Sequence, residues 1–141
     1  MGMSPKARHK ARMFAMQAIY QWQIADGEPG AIQAQYMKDN AHHKVDWDFF
    51  KSITDEVFAN KDEFNELLDS AKKNEKTEIL PIERGLIWLG LAELKFHIDV
   101  PYKVSIKEYV SLAEEFAAAD GFGFVNGVLD TLAPKIRNPL L

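Results

Sequence analysis

Asn126-Gly127 sits between apolar residues, an arrangement that ordinarily marks a two-residue hairpin turn. Its flanks forbid that reading. Phe124, Val125, Val128, Leu129 and Leu132 recur at the three- and four-residue spacing of a buried helix face. The segment therefore reads as a helix that carries glycine inside it, at a cost of about 1 kcal/mol relative to alanine. A glycine kept at that cost points to close helix–helix approach or to backbone lying near a ligand, and tight packing is the simpler explanation.

The same periodicity runs through the rest of the chain, and no segment reads as a strand, so the fold class is all-α. Ser4-Pro5 starts a first helix, with serine as cap and proline in the first turn. Ala11, Phe14, Ala15, Ala18, Ile19 and Trp22 form its face, which Met13, Met16 and Tyr20 broaden, placing this helix centrally. Glu28-Pro29-Gly30 opens a second helix and His42-His43-Lys44 marks the following loop. Asp46 caps a third, with a break at Asn60-Lys61, and the lysine-rich run Lys72 to Lys76 suits a solvated connection. Leu80-Pro81 opens a helix apolar on nearly all sides, and hence buried. Pro101 restarts the chain, and Asp120 caps the last helix, which runs through to Pro134.

The chain has 141 residues, enough for one domain and short for two. No apolar run approaches the roughly 18–20 residues of a membrane span, and the absence of cysteine excludes disulfides and thiolate zinc sites. With no secretory signal pattern, a cytoplasmic location is expected. Charge is uneven. Lys6, Arg8, Lys10 and Arg12 are the only charged residues before Asp26, so the other 13 basic and 21 acidic side chains leave −8 on the body. A basic arm on an acidic body indicates a polyanion contact confined to one end.

Other chemistry is sparse. His42-His43 with Asp46 and Asp48 lacks the spacing of a zinc site, so no metal and no cofactor are expected. Glu114-Glu115 and Asp62-Glu63 read as solvated helix faces, because neighbouring helix residues point apart. No phosphate-binding glycine loop or nucleophile elbow is present, and no catalytic residue is assigned. Lys135 and Arg137 either extend a basic surface or serve a helix end.

Five stretches together carry a resemblance that runs nearly end to end: Arg8-His-Lys-Ala-Arg12, Ala18-Ile-Tyr-Gln-Trp22, the helix holding Glu83 and Glu93-Leu94, Val100-Pro-Tyr-Lys-Val104, and Phe124-Val-Asn-Gly-Val-Leu-Asp130. In these the chain resembles the NusB family of transcription antitermination factors. The resemblance implies a single domain over residues 1–141 with about seven helices. These would form two small bundles, about 1–76 and 77–141, around a central first helix. It implies a non-enzymatic factor that binds the single-stranded boxA element of nascent ribosomal RNA together with the ribosomal protein NusE. The complex would join RNA polymerase and suppress premature termination. Relatives include monomers and homodimers, so a homodimer stays open.

Carried over residue by residue, the resemblance assigns RNA contacts to Lys6, Arg8, Lys10, Arg12, Asp120 and Phe124, and the ribosomal-protein surface to Tyr20 and Glu83. For Tyr20 a core aromatic with a satisfied hydroxyl is an equal alternative. Four cations on four phosphates predict a slope of log K against log salt near −3. The chain departs from the family pattern at Trp88, usually arginine, and at Ala92, usually tyrosine. Gly121-Phe-Gly123 stands where a lysine is common, so that Phe122 adds a stacking plane as a phosphate contact is lost. Lys107 replaces a common asparagine. Two other classes remain: a helical adaptor that binds only protein, and a stand-alone relative of the similar domain in RNA methyltransferases.

Overall fold

The computed structural model describes residues 4–72 and 78–140, and five of its six helices start where the sequence supplies a proline or a side-chain cap. The lysine-rich connection from Lys73 to Lys76 lies outside the described residues. The elements are α1 (Pro5–Ala25), α2 (Pro29–Asp39), α3 (Trp47–Ala71), α4 (Pro81–Phe96), α5 (Tyr102–Phe116) and α6 (Gly121–Ile136). Ser4 Oγ accepts from Ala7 N at 3.1 Å and Asp46 Oδ1 from Phe49 N at 3.1 Å, as side-chain caps should. Six helices stand against about seven expected. The difference lies at Asn60, whose φ of −123° and ψ of 19° kink α3 where the sequence marks a break.

The most enclosed element is α4. Every residue from Gly85 to Leu94 is buried, and α4 packs against α1, α3, α5 and α6. The first helix touches α2, α3, α4 and α5, so the centre is an α1–α4 pair rather than α1 alone. Trp88 is part of this interior, its Nε1 donating to Asn65 Oδ1 at 3.0 Å, and Ala92 is fully buried. Both residues are therefore part of the packed interior.

Close helix approach is real but sits at a different glycine. A Cβ on Gly90 would lie 2.8 Å from both δ carbons of Leu129, so α4 and α6 meet there. Gly127 is exposed, and a Cβ added to it would meet nothing within 4 Å. Tight packing does not explain Gly127, because Val125, Val128 and Leu129 take the inward face of α6 and turn Gly127 to solvent. Gly127→Ala should thus raise folding stability by about 1 kcal/mol, read as a melting temperature a few degrees higher. A lower melting temperature would place a neighbour over this position.

Candidate functional site

The four arm cations part company once α1 is formed. Residues four apart share a helix face, so Lys6 and Lys10 stack on one side while Arg8 and Arg12 turn inward over the ring of Phe49. The guanidinium carbons lie 4.4 Å (Arg8) and 5.1 Å (Arg12) from its centroid. Neither lysine has a hydrogen-bond or ion-pair partner among the described residues. No acidic residue occupies the first turn of α1, so these charges are not neutralised locally.

Arg8 is about one-third exposed, and its Nε reaches Asp46 Oδ2 at 3.4 Å. It lines a groove of about 400 Å3 with Pro5, Val100, Pro101 and Val104. Arg12, expected at the RNA surface, is buried in the free chain. Its Nε and Nη2 donate to the two oxygens of Glu93 at 2.9 and 2.8 Å, and Nη1 donates to Glu108 Oε1 at 3.0 Å. The inward turn of its helix face spends its donors on these carboxylates, at the floor of the groove that Arg8 lines.

Glu93 collects four donors in all. Ser105 Oγ donates to it at 2.6 Å and Tyr109 OH at 2.7 Å. Burial opposes its ionisation, but the hydrogen bonds and charge of Arg12, with the two hydroxyls, outweigh burial and hold the carboxyl below the usual range. The same burial, with the Glu93 charge beside it, pushes Tyr109 well above its ordinary value. No buried side-chain polar atom among the described residues lacks a partner. This network ties α1, α4 and α5 together beneath the arm. The sequence offered one signal for it, an arginine on a helix face otherwise built of alanines and aromatics.

At the start of α6, Asp120 occupies the cap position, but its side chain makes no capping hydrogen bond and is exposed. The sequence expectation of a capping aspartate fails because the backbone at Asp120 is helical, φ −98° and ψ 0°, which aims the carboxylate away from the first turn. Phe122 is 44% exposed, whereas Phe124 is half-buried against the core. The free stacking plane is therefore Phe122.

The two expected partner residues also differ. Tyr20 is half-buried and its hydroxyl has no hydrogen-bond partner among the described residues. It lines an apolar groove of about 400 Å3 with Met16, Ile24, Tyr36, Ile82 and Phe116, so it is not a satisfied core tyrosine. Glu83 is fully buried and offers no surface in the free chain. Its Oε1 accepts from Leu80 N at 3.3 Å, and Oε2 lies 2.8 Å from where a Cβ on Gly121 would be. It thus sits where the beginnings of α4 and α6 meet. Its burial follows from Gly121, which lets α6 descend onto the carboxylate.

Among the described residues no group of three or more histidines, cysteines or acidic residues can hold a metal, and Asp46 is engaged as the α3 cap. Arg137 is a buried cation at the end of α6 and adds no surface charge. No described helix is long and apolar enough to cross a membrane.

Comparison with known proteins decides the lineage, since the NusB family model matches residues 9–134. The chain belongs to the NusB family. It is 40% identical over 137 residues to the transcription antitermination protein NusB of Hahella chejuensis, covering 97% of this chain and 92% of that one. The relatives it matches carry the name of transcription antitermination proteins, a non-enzymatic family. The fold matches NusB of T. maritima with a TM-score of 0.79 at 20% identity, covering 98% and 97% of the two chains. It also matches the antitermination factors NusB and NusE in complex with dsRNA, with a TM-score of 0.82 at 22% identity over 94% and 99%.

Proposed function

We propose that this NusB family member binds boxA-type single-stranded RNA of nascent ribosomal RNA transcripts together with the ribosomal protein NusE. Through that complex it joins RNA polymerase and suppresses premature termination. The observation that carries this reading is the pair of unpartnered lysines, Lys6 and Lys10, at the exposed start of α1 on an otherwise acidic body. Phosphates of a single strand are held by such cations, while unstacked bases lie on aromatic planes such as the ring of Phe122. Asp120 has its carboxylate free to accept from a base amino group. A solved NusB with NusE and dsRNA shares this fold, which supports the pairing of the two partners.

The groove around Tyr20 is the surface for the ribosomal protein, being apolar, open and edged by the exposed Ile24 and Phe116. It also keeps a second reading in view, a protein-only adaptor or a homodimer through the same face. Glu83 supports this groove from beneath by fixing the start of α4, from which Ile82 projects into it.

Fluorescence anisotropy of a labelled boxA-type RNA, with and without NusE and at several salt concentrations, tests the reading. With Arg12 withdrawn, Lys6, Arg8 and Lys10 give an arm slope near −2, hence a loss of roughly twentyfold in affinity between 50 and 200 mM salt. Lys6→Gln with Lys10→Gln should flatten the slope by about 1.4. Capture of NusE with no RNA binding would favour the adaptor. A doubled mass by sedimentation in the absence of NusE would favour the homodimer.

A further inference from the structure

The arm and Phe122 lie at opposite ends of α5. Near the start of α5, Val104 and Glu108 line the groove that holds Arg8 and Arg12. Its end, at Phe116, lines the Tyr20 groove, and the chain then turns directly into Gly121 and Phe122. From Val104 to Ala117 at 1.5 Å per residue is about 20 Å. No contact joins α1 to α6, whereas α5 packs on both. A strand held by the arm and stacked on Phe122 has the exposed side of α5 between its two ends.

That side is built to receive it. Lys103 and Lys107 are exposed, one helical turn apart, and have no hydrogen-bond or ion-pair partner among the described residues. They line a groove of about 380 Å3 between α5 and α6 with Ile106, Val110, Asn126 and Asp130. Farther along α5 the exposed residues turn acidic at Glu114 and Glu115, which steers a polyanion off α5 and onto α6. There Asn126 presents a side-chain amide, and Gly123 and Gly127 leave backbone bare, with nothing within 4 Å of an added Cβ at either. Asp130 is the one carboxylate lining this groove.

We propose that the α5–α6 groove carries the stretch of single-stranded RNA that connects the arm to Phe122, with Lys103 and Lys107 meeting its phosphates. The proposal rests on the RNA-binding reading above and extends it to a segment of surface outside the arm and the α6 start. It accounts for the exposed Gly127, which packing does not explain.

The test is Lys103→Gln with Lys107→Gln, compared with Lys51→Gln and Lys61→Gln on α3, a helix that does not touch α5. Anisotropy of the labelled boxA-type RNA is followed against salt, with the melting temperature of each variant as control. Two added phosphate contacts put the wild-type slope near −3.5 instead of −2. The α5 variant should flatten it by about 1.4 and lose roughly 25-fold in affinity at 0.1 M salt, while the α3 pair does neither. Lys103→Arg with Lys107→Arg should keep the wild-type slope. An unchanged slope in the α5 variant, or equal flattening in the α3 pair, overturns the proposal while leaving RNA binding intact. Weakened NusE capture with unaltered RNA affinity reassigns the groove to protein. Absence of RNA binding by the wild type sinks this proposal and the RNA reading together.

Discussion

Arg12→Ala lowers folding stability by about 3–5 kcal/mol, because it leaves Glu93 charged and unpaired in the interior. The pair is bidentate, and Glu93 is fully buried on α4 with two hydroxyls of α5 also aimed at it. Removing the guanidinium strands that carboxylate and also uncouples Glu108, which keeps only its contact with His9 Nδ1 at 2.9 Å. Chemical denaturation of the variant measures the loss. Replacing the pair together, Arg12→Met with Glu93→Leu, should recover most of it, since a buried ion pair exchanged for apolar volume is often neutral.

The pH dependence follows from the same geometry. Glu93 titrates below its ordinary value near 4.5 in the folded chain, so its contribution is present above that pH and is lost as pH falls through the folded value. Without Arg12, burial is opposed only by the hydroxyls of Ser105 and Tyr109 and favours the protonated acid more strongly. The stability gap between wild type and Arg12→Ala should therefore be widest near neutrality and narrow below about pH 4.5. A gap that is flat across this range would mean that Glu93 is not the group left behind. For RNA the expectation reverses what four equal arm cations predict: in the folded fraction of Arg12→Ala the salt slope stays at its wild-type value, because the residue meets no phosphate.

Particular residues show what was legible beforehand and what was not. Helix starts were readable, because Ser4-Pro5, Pro29, Asp46 and Pro81 act within one turn and need no tertiary context. The Asn60 break was readable for the same reason. The role of a charged residue on a helix was not, since Lys10 and Arg12 look alike in sequence and differ only in which face meets Phe49 and Glu93. Glycines misled similarly. A gap in side-chain volume is visible in sequence, but whether a neighbour fills it depends on helix rotation, which closes Gly90 onto Leu129 and opens Gly127 to solvent. Glu83 disappears from the surface through Gly121, a residue 38 positions away.

Arg137→Ala should cost about 3–4 kcal/mol, although the residue lies one position beyond the last helix. Its guanidinium is buried and donates to four backbone carbonyls: Leu94 at 2.8 Å, Val100 at 2.6 Å, His97 at 2.8 Å and Glu93 at 3.3 Å. Three of these belong to the last turn and cap of α4, where the helix dipole favours a cation; Glu93 O also accepts from His97 N at 2.9 Å and His97 O from Val100 N at 3.0 Å, so the carbonyls of Leu94 and Val100 depend most on the guanidinium. Truncation strips the Leu94 and Val100 carbonyls of this donor, each at a cost of about 1–3 kcal/mol before relaxation admits water. Arg137→Lys keeps the charge but has no planar fork to span the separated acceptors, so it should recover less than half of the loss. The defect also reaches function. The carbonyls of His97 and Val100 fix the short connection into α5, and with it the placing of Val104 and Glu108 against the arm. RNA affinity should therefore fall in Arg137→Lys with the salt slope unchanged, the signature of a residue that positions the surface without touching the ligand.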